Sequence, residues 1–200
     1  VKEKILTLTT GEKIHIFDGI FDPQKLYYLH KFVSMSYFQF RASSTSLQEH
    51  SAYITPSSTF NEKDVENMEF FDNDNMRYVL SKMNSRILNR CWANAILEGS
   101  KYFWHVDAQE PRDMGSQTLL YYSNSTWDKD WHGETLFMNN DGECEIAVSA
   151  DPGRLVLFDS KLMHKPVPIS TIAPTPRYSV VFQFLNDAKL ADIHGRMKEF

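Results

Sequence analysis

Cysteine is nearly absent: the 200 residues contain two, Cys91 and Cys144, in no CxxC or Cys/His grouping. That argues against a disulfide framework and a zinc site, and leaves one or both as packing residues. Long apolar runs are missing too. No stretch approaches the roughly 18 residues that span a bilayer, and the opening VKEKILTLTT lacks a signal peptide's apolar centre, so a cytoplasmic protein without membrane association is expected. There is no excess of positive charge. Lys and Arg number 21 against 26 Asp and Glu, a net charge of −5, the wrong sign for gripping nucleic acid or anionic lipid. Glycine and proline, 8 each, are too few for collagen-like or low-complexity chain, and no internal repeat appears. What is present is a chain 42% hydrophobic and 14% aromatic, of a length suited to one domain over 1–200.

The periodicities change character along the chain. Residues 1–19 read as short strands, with Ile14 and Ile16 alternating before the turn Asp18-Gly19. Asp22 as N-cap, Pro23 at the first helical position, and Leu26, Leu29, His30 and Val33 at helical spacing predict a helix over 23–35. The Ser/Thr-rich stretch 41–62 has no sustained period and reads as a loop or irregular edge strand, a candidate lid. Met76, Val79, Leu80, Met83, Ile87 and Leu88 predict a second long helix over 72–89, capped by Asp72 or Asp74.

After Arg90 come short apolar or alternating runs at 91–97, 101–107, 117–122, 134–138, 143–148, 154–159 and 177–185. Strands following helices, without helices between them, predict a mainly β fold with flanking helices. An antiparallel double-sheet barrel or jelly roll fits, with 1–90 as helical support and lid, 91–185 as core and 186–200 as a tail. The tail LNDAKLADIHGRMKEF reads as a short amphipathic helix.

Chemistry concentrates in Trp104-His105-Val106-Asp107. On a strand, residues two apart share a face, so His105 and Asp107 would offer an imidazole and a carboxylate to one metal. His164, after the apolar run GRLVLFDS, is the best third ligand. Two His and one carboxylate leave open positions on an octahedral metal, as in non-haem iron(II) oxygenases. Taken alone, an HxD pair often arises by chance. Arg177 and Ser179 again share a strand face, suited to holding a carboxylate by charge-assisted hydrogen bonds, although an Arg at a strand start commonly closes a surface ion pair.

Taken in order, GSKYFWHVD, WHGETLF, DPGRLVLFDS, MHKPVP and PRYSVVFQF resemble the prolyl 4-hydroxylase-like branch of the iron(II)- and 2-oxoglutarate-dependent oxygenases, over roughly the last 110 residues. The N-terminal IHIFDGIFDPQKLYYLHKFV is similar to the strand-and-helix entry of such domains. The resemblance implies a double-stranded β-helix holding Fe(II) by His105, Asp107 and His164, which the two helices read from periodicity would support at the N-terminal side. It also implies 2-oxoglutarate chelating the metal, its 5-carboxylate on Arg177, and hydroxyl contacts from Ser179 and Tyr102. Arg177 follows His164 by 13 positions, longer than the family pattern, which leaves Lys165 or Arg154 as fallback anchors. The implied activity is a dioxygenase that uses Fe(II), 2-oxoglutarate and O2 to hydroxylate a C–H bond, releasing succinate and CO2. Asp107 favours hydroxylation over halogenation, because halogenating relatives resemble this pattern with a small residue in its place.

Other residues receive blander readings. His132 in WDKDWHGE reads as solvated or capping; His15, His30, His50 and His194 as surface or packing residues. Glu134 reads as structural. Trp104, Trp127 and Trp131 either wall a pocket or pack the core, and only one of Tyr121 and Tyr122 can face the barrel interior. The expected substrate is a prolyl peptide, a free amino acid or another small metabolite, with specificity built in the loops 41–62, 108–116 and 123–132. Two alternatives stay open: a jelly-roll binding module without turnover, and a cupin-like metalloenzyme that does not use 2-oxoglutarate.

Overall fold

Four strands and three helices precede the β-rich half of the chain: β1 (Lys2–Thr7), β2 (Lys13–Asp18), α1 (Pro23–Ser34), β3 (Gln39–Ala42), β4 (Ile54–Phe60), α2 (Glu62–Met68) and α3 (Asp74–Leu80). There follow β5 (Ile87–Ile96), β6 (Gln117–Tyr122), β7 (Thr135–Met138), β8 (Cys144–Val148), β9 (Leu155–Asp159), β10 (His164–Pro166), β11 (Arg177–Leu185) and β12 (Lys198–Glu199). The computed structural model describes residues 1–42, 54–84, 86–108, 115–185 and 198–199. All strand pairs are antiparallel. The larger sheet runs β1-β2-β9-β6-β11-β5-β4-β3, with β12 on the end of β5, and the smaller runs β10-β7-β8.

The central strands explain the continuous apolar runs, because the larger sheet is covered on both faces. On one face Leu119, Tyr121, Leu155, Leu157, Val180, Phe182 and Phe184 pack against Leu29 and Val33 of α1, Val65 and Met68 of α2, and Met76 and Val79 of α3. On the other, Leu120, Tyr122, Val156, Phe158 and Val181 meet Phe137 and Val148 of the smaller sheet. Polar residues that interrupt this second face, Thr118, Arg177 and Ser179, are buried.

Helix α1 forms as expected: the Asp22 carboxylate accepts from the Lys25 amide at 2.8 Å and Pro23 occupies the first turn. The expectation of two N-terminal helices needs correction, since the described residues form three, and the long helix over 72–89 does not form. Asn73 caps α3, and the helix ends at Leu80 as the Lys82 and Met83 amides fold back onto Val79 and Leu80. Ile87 and Leu88, which carry a helical spacing with Met83, instead begin β5 opposite Leu185 and Phe184. Their burial comes from sheet pairing that a local period cannot reveal.

The stretch 41–62 is likewise more regular than expected. Residues 43–53 lie outside the described residues, but 54–57 pair with β3 and 57–60 with β5, and Asn61 and Asp64 form a reciprocal capping box for α2. Of the other specificity loops, 109–114 also lie outside. In the tail, 186–197 lie outside, while Lys198–Glu199 pair with β5 as a strand. The strand expected at 101–107 is reduced to one bridge, His105 to His164, because the Asp107 and Ala108 amides both turn to the Ser160 carbonyl.

Candidate active site

His105 and His164 face each other across that bridge. Each donates its amide to the other's carbonyl, at 3.0 and 2.9 Å, and a directly opposed antiparallel pair projects its side chains on one face. Their ring centroids lie 4.4 Å apart. Asp107, two residues on, adds a carboxylate with Oδ1 3.9 Å from His105 Nε2 and Oδ2 3.7 Å from His164 Nε2. The three ligand atoms all lie within 4.8 Å of one another.

Tautomers are set by the backbone. His105 Nδ1 lies 3.0 Å from the Phe103 carbonyl and His164 Nδ1 lies 2.9 Å from that of Leu162. A carbonyl can only accept, so each Nδ1 carries a proton and each Nε2 is the nitrogen turned toward Asp107. Burial, together with the adjacent His105 ring, pushes the His164 imidazole down to about 4, with Asp107 opposing the shift. The His164 imidazole is therefore neutral across the physiological range and could serve as a metal ligand. Two imidazoles and one carboxylate, converging with both Nε2 atoms turned toward the carboxylate, fit a divalent iron.

These atoms lie on one cavity, of about 60 Å³, also lined by Trp92, Asn94, Thr118, Thr135, Arg177 and Ser179. Arg177 is 3% exposed. Its Nη1 donates to the Gly133 carbonyl at 2.8 Å, its Nη2 to Ser179 Oγ at 3.3 Å, and its guanidinium lies over the Tyr122 ring at 5.2 Å. Nε is buried without a hydrogen-bond partner, and no carboxylate pairs with this cation among the described residues. Burial works against its charge, with Tyr122, Tyr102 and Glu134 opposing. A buried guanidinium with an unused donor is costly unless an anion joins it, so Arg177 is suited to pair with a carboxylate entering the cavity.

The alternative anchors are occupied elsewhere: Arg154 is held by Asp18 and Asp151, and Lys165 lies over the Trp104 ring. Tyr102 stands beside this region, its hydroxyl accepting from the Leu97 amide at 3.4 Å. Of the tyrosine pair, Tyr122 faces the inter-sheet side and donates to Thr135 Oγ1 at 2.7 Å, whereas Tyr121 packs against Phe21 and Phe70. His132 is exposed, 3.9 Å from Glu134, and away from the triad. Trp127 and Trp131 stack edge to face at 5.3 Å; the tryptophan lining the cavity is Trp92.

Sequence reasoning missed Thr118, Ser160, Asn94 and Trp92. The available signal was polarity out of place: Thr118 interrupts QTLLYY, just as Gln183 interrupts VVFQFL, and both are buried.

Comparison with known proteins agrees with this geometry. Residues 91–184 match the family model of the 2OG-Fe(II) oxygenase superfamily, a span that contains all three triad residues and Arg177. No curated protein sequence matches the chain significantly. Among solved structures, the chain is similar to a prolyl hydroxylase from Trichoplax adhaerens in complex with a hypoxia-inducible factor peptide fragment, at 17% identity and TM-score 0.62, covering 92% of this chain and 87% of that one. It is also similar to a prolyl-4-hydroxylase from Pseudomonas putida, at 12% identity and TM-score 0.59, covering 88% and 93%. A viral collagen prolyl hydroxylase from Paramecium bursaria Chlorella virus-1, solved with 2-oxoglutarate, matches at 13% identity and TM-score 0.59, covering 85% and 94%. Residues 91–184 thus carry a 2OG-Fe(II) oxygenase domain, that of a 2-oxoglutarate/Fe(II)-dependent dioxygenase, within a chain whose fold is similar to that of prolyl hydroxylases.

Proposed function

We propose that this enzyme hydroxylates an unactivated C–H bond of a prolyl peptide or small amino-acid-like substrate, with succinate and CO2 as co-products. The observation that carries the reading is the pairing, in one cavity, of the His105/Asp107/His164 cluster with a buried guanidinium that has a free donor. Similarity to enzymes named as prolyl hydroxylases supports the substrate class. The net charge of −5 argues against a nucleic-acid substrate, and among the described residues no helix is long and apolar enough to cross a membrane. Residues 1–200 work as one domain, in the cytoplasm.

Fe(II) and 2-oxoglutarate, when bound at these residues, would supply the chemistry that couples O2 to C–H oxidation. His105 and His164 hold the metal through Nε2, and Asp107 through its carboxylate. Arg177 pairs with the 5-carboxylate, with Ser179 and Tyr102 adding hydroxyl contacts. Neutral His164 keeps its lone pair for the metal instead of a proton. Trp92, Ile96, Leu120 and Phe158 wall the cavity with apolar surface that excludes water from the reacting end.

The test is anaerobic titration of Fe(II)-loaded protein with 2-oxoglutarate, following the weak visible charge-transfer band of the chelated oxo-acid. The expected band disappears in His105→Ala and weakens in Arg177→Ala. No band from metal-replete wild type would overturn the site assignment. Succinate release stimulated by a proline-containing peptide, and not by free amino acids, would then separate the two substrate classes.

A further inference from the structure

Asp107 is held more completely than a surface ligand needs to be. Its amide donates to the Ser160 carbonyl at 2.9 Å, and its carbonyl accepts from Arg90 Nη2 and Gln183 Nε2, each at 3.3 Å. The side chain is fixed as well. Thr118 Oγ1 donates to Asp107 Oδ2 at 2.8 Å, and Thr118 Oγ1 and Ser160 Oγ lie 2.9 Å apart. A hydroxyl has one proton; with that of Thr118 committed to Asp107, Ser160 is the donor to Thr118. The result is a relay, Ser160 to Thr118 to Asp107 Oδ2, whose two hydroxyl residues are at most 1% exposed.

We propose that Thr118, backed by Ser160, is a positioning residue that makes Asp107 a single-oxygen ligand. This rests on the metal-site reading above. A carboxylate can give a cation one oxygen or both. With Oδ2 engaged by Thr118, Oδ1, on the His105 side, is the oxygen left for the metal. A second oxygen on the metal would occupy one of the three positions that the oxo-acid and O2 require. Thr118 lines the cavity yet offers no ligand atom for a divalent cation comparable to its neighbours, so its polarity in an apolar strand is accounted for by Asp107. Outer partners of this kind orient ligands, and their loss typically weakens metal binding by about 10- to 100-fold.

The experiment measures Co(II) binding to metal-free protein by calorimetry and by the visible d–d absorption, in wild type, Thr118→Val, Thr118→Ser and Ser160→Ala. Valine keeps the shape and removes the hydroxyl. Thr118→Val is expected to weaken Co(II) binding by about 10- to 100-fold and to change the intensity and position of the d–d bands, which report coordination number. Thr118→Ser restores both, and Ser160→Ala gives a smaller loss of the same kind. Wild-type affinity and an unchanged spectrum in Thr118→Val would overturn the proposal. If Thr118→Val does not fold, an unperturbed spectrum in Ser160→Ala overturns it instead. Failure of wild type to bind Co(II) would sink the metal-site reading itself, a distinct result.

Discussion

His105 and His164, 59 residues apart, are a hydrogen-bonded antiparallel pair whose backbones exchange both bonds, at 3.0 and 2.9 Å. The same bridge that sets the strand register therefore sets the spacing of two imidazoles. A register slip of one residue would turn one ring to the opposite face and dissolve the site.

Arg177 should govern co-substrate affinity. Loss of a charge-assisted bond to a carboxylate costs about 1.5–3 kcal/mol, so Arg177→Met is expected to raise the KM for 2-oxoglutarate roughly 10- to 100-fold. Arg177→Lys retains charge but not the planar fork, and should fall between. Steady-state kinetics with varied 2-oxoglutarate checks this; an unchanged KM would move the anchor to another residue.

Gly133 is required by both conformation and space. Its φ is +83°, its carbonyl accepts from Arg177, and a Cβ there would lie 3.0 Å from Arg177 Cδ and 3.4 Å from both Ile169 and Trp127. Gly133→Ala is expected to displace the guanidinium and raise the KM for 2-oxoglutarate while leaving Co(II) affinity within about twofold. Parallel loss of metal binding would show that the disturbance is not local.

His164 makes the metal-free protein acid-sensitive. Its folded value of about 4 lies below the 6.5 of a free imidazole, so between these values the unfolded chain binds a proton that the folded one refuses. Stability is lost as pH falls through this window, by about 3 kcal/mol for the full shift. Urea unfolding of wild type and His164→Gln at pH 7 and pH 4.5 should show wild type losing roughly 2–3 kcal/mol more on acidification. Equal losses would contradict the burial of a neutral ring.

Phe182 ties the helices to the larger sheet, with ring centroids 4.6 Å from Phe70 and 5.1 Å from Phe71. Phe182→Ala is expected to destabilise by about 3–5 kcal/mol. Chemical denaturation of the metal-free protein measures it, and a cost below 1 kcal/mol would mean that the cavity collapses.

Much of the site was legible because its signals are local. His105 and Asp107 are two residues apart on extended backbone, and Arg177 opens a strand as its apolar context suggests. Helix α1 was legible for the same reason, from Asp22 and Pro23. The end of α3 was not: Met83, Ile87 and Leu88 keep a helical period, and only pairing with β11 makes the last two a strand.

The candidate ligand types, their order along the chain and the β-rich character of the second half could all be read from the residues alone. These follow from side-chain chemistry and short-range periodicity, which are properties of a few consecutive residues. Tertiary structure alone decided that Thr118 and Ser160 stand behind Asp107, that Tyr122 and not Tyr121 turns inward, and that Arg177 meets no carboxylate among the described residues. Each of these depends on which strands pair, and in what register, between segments separated by tens of residues.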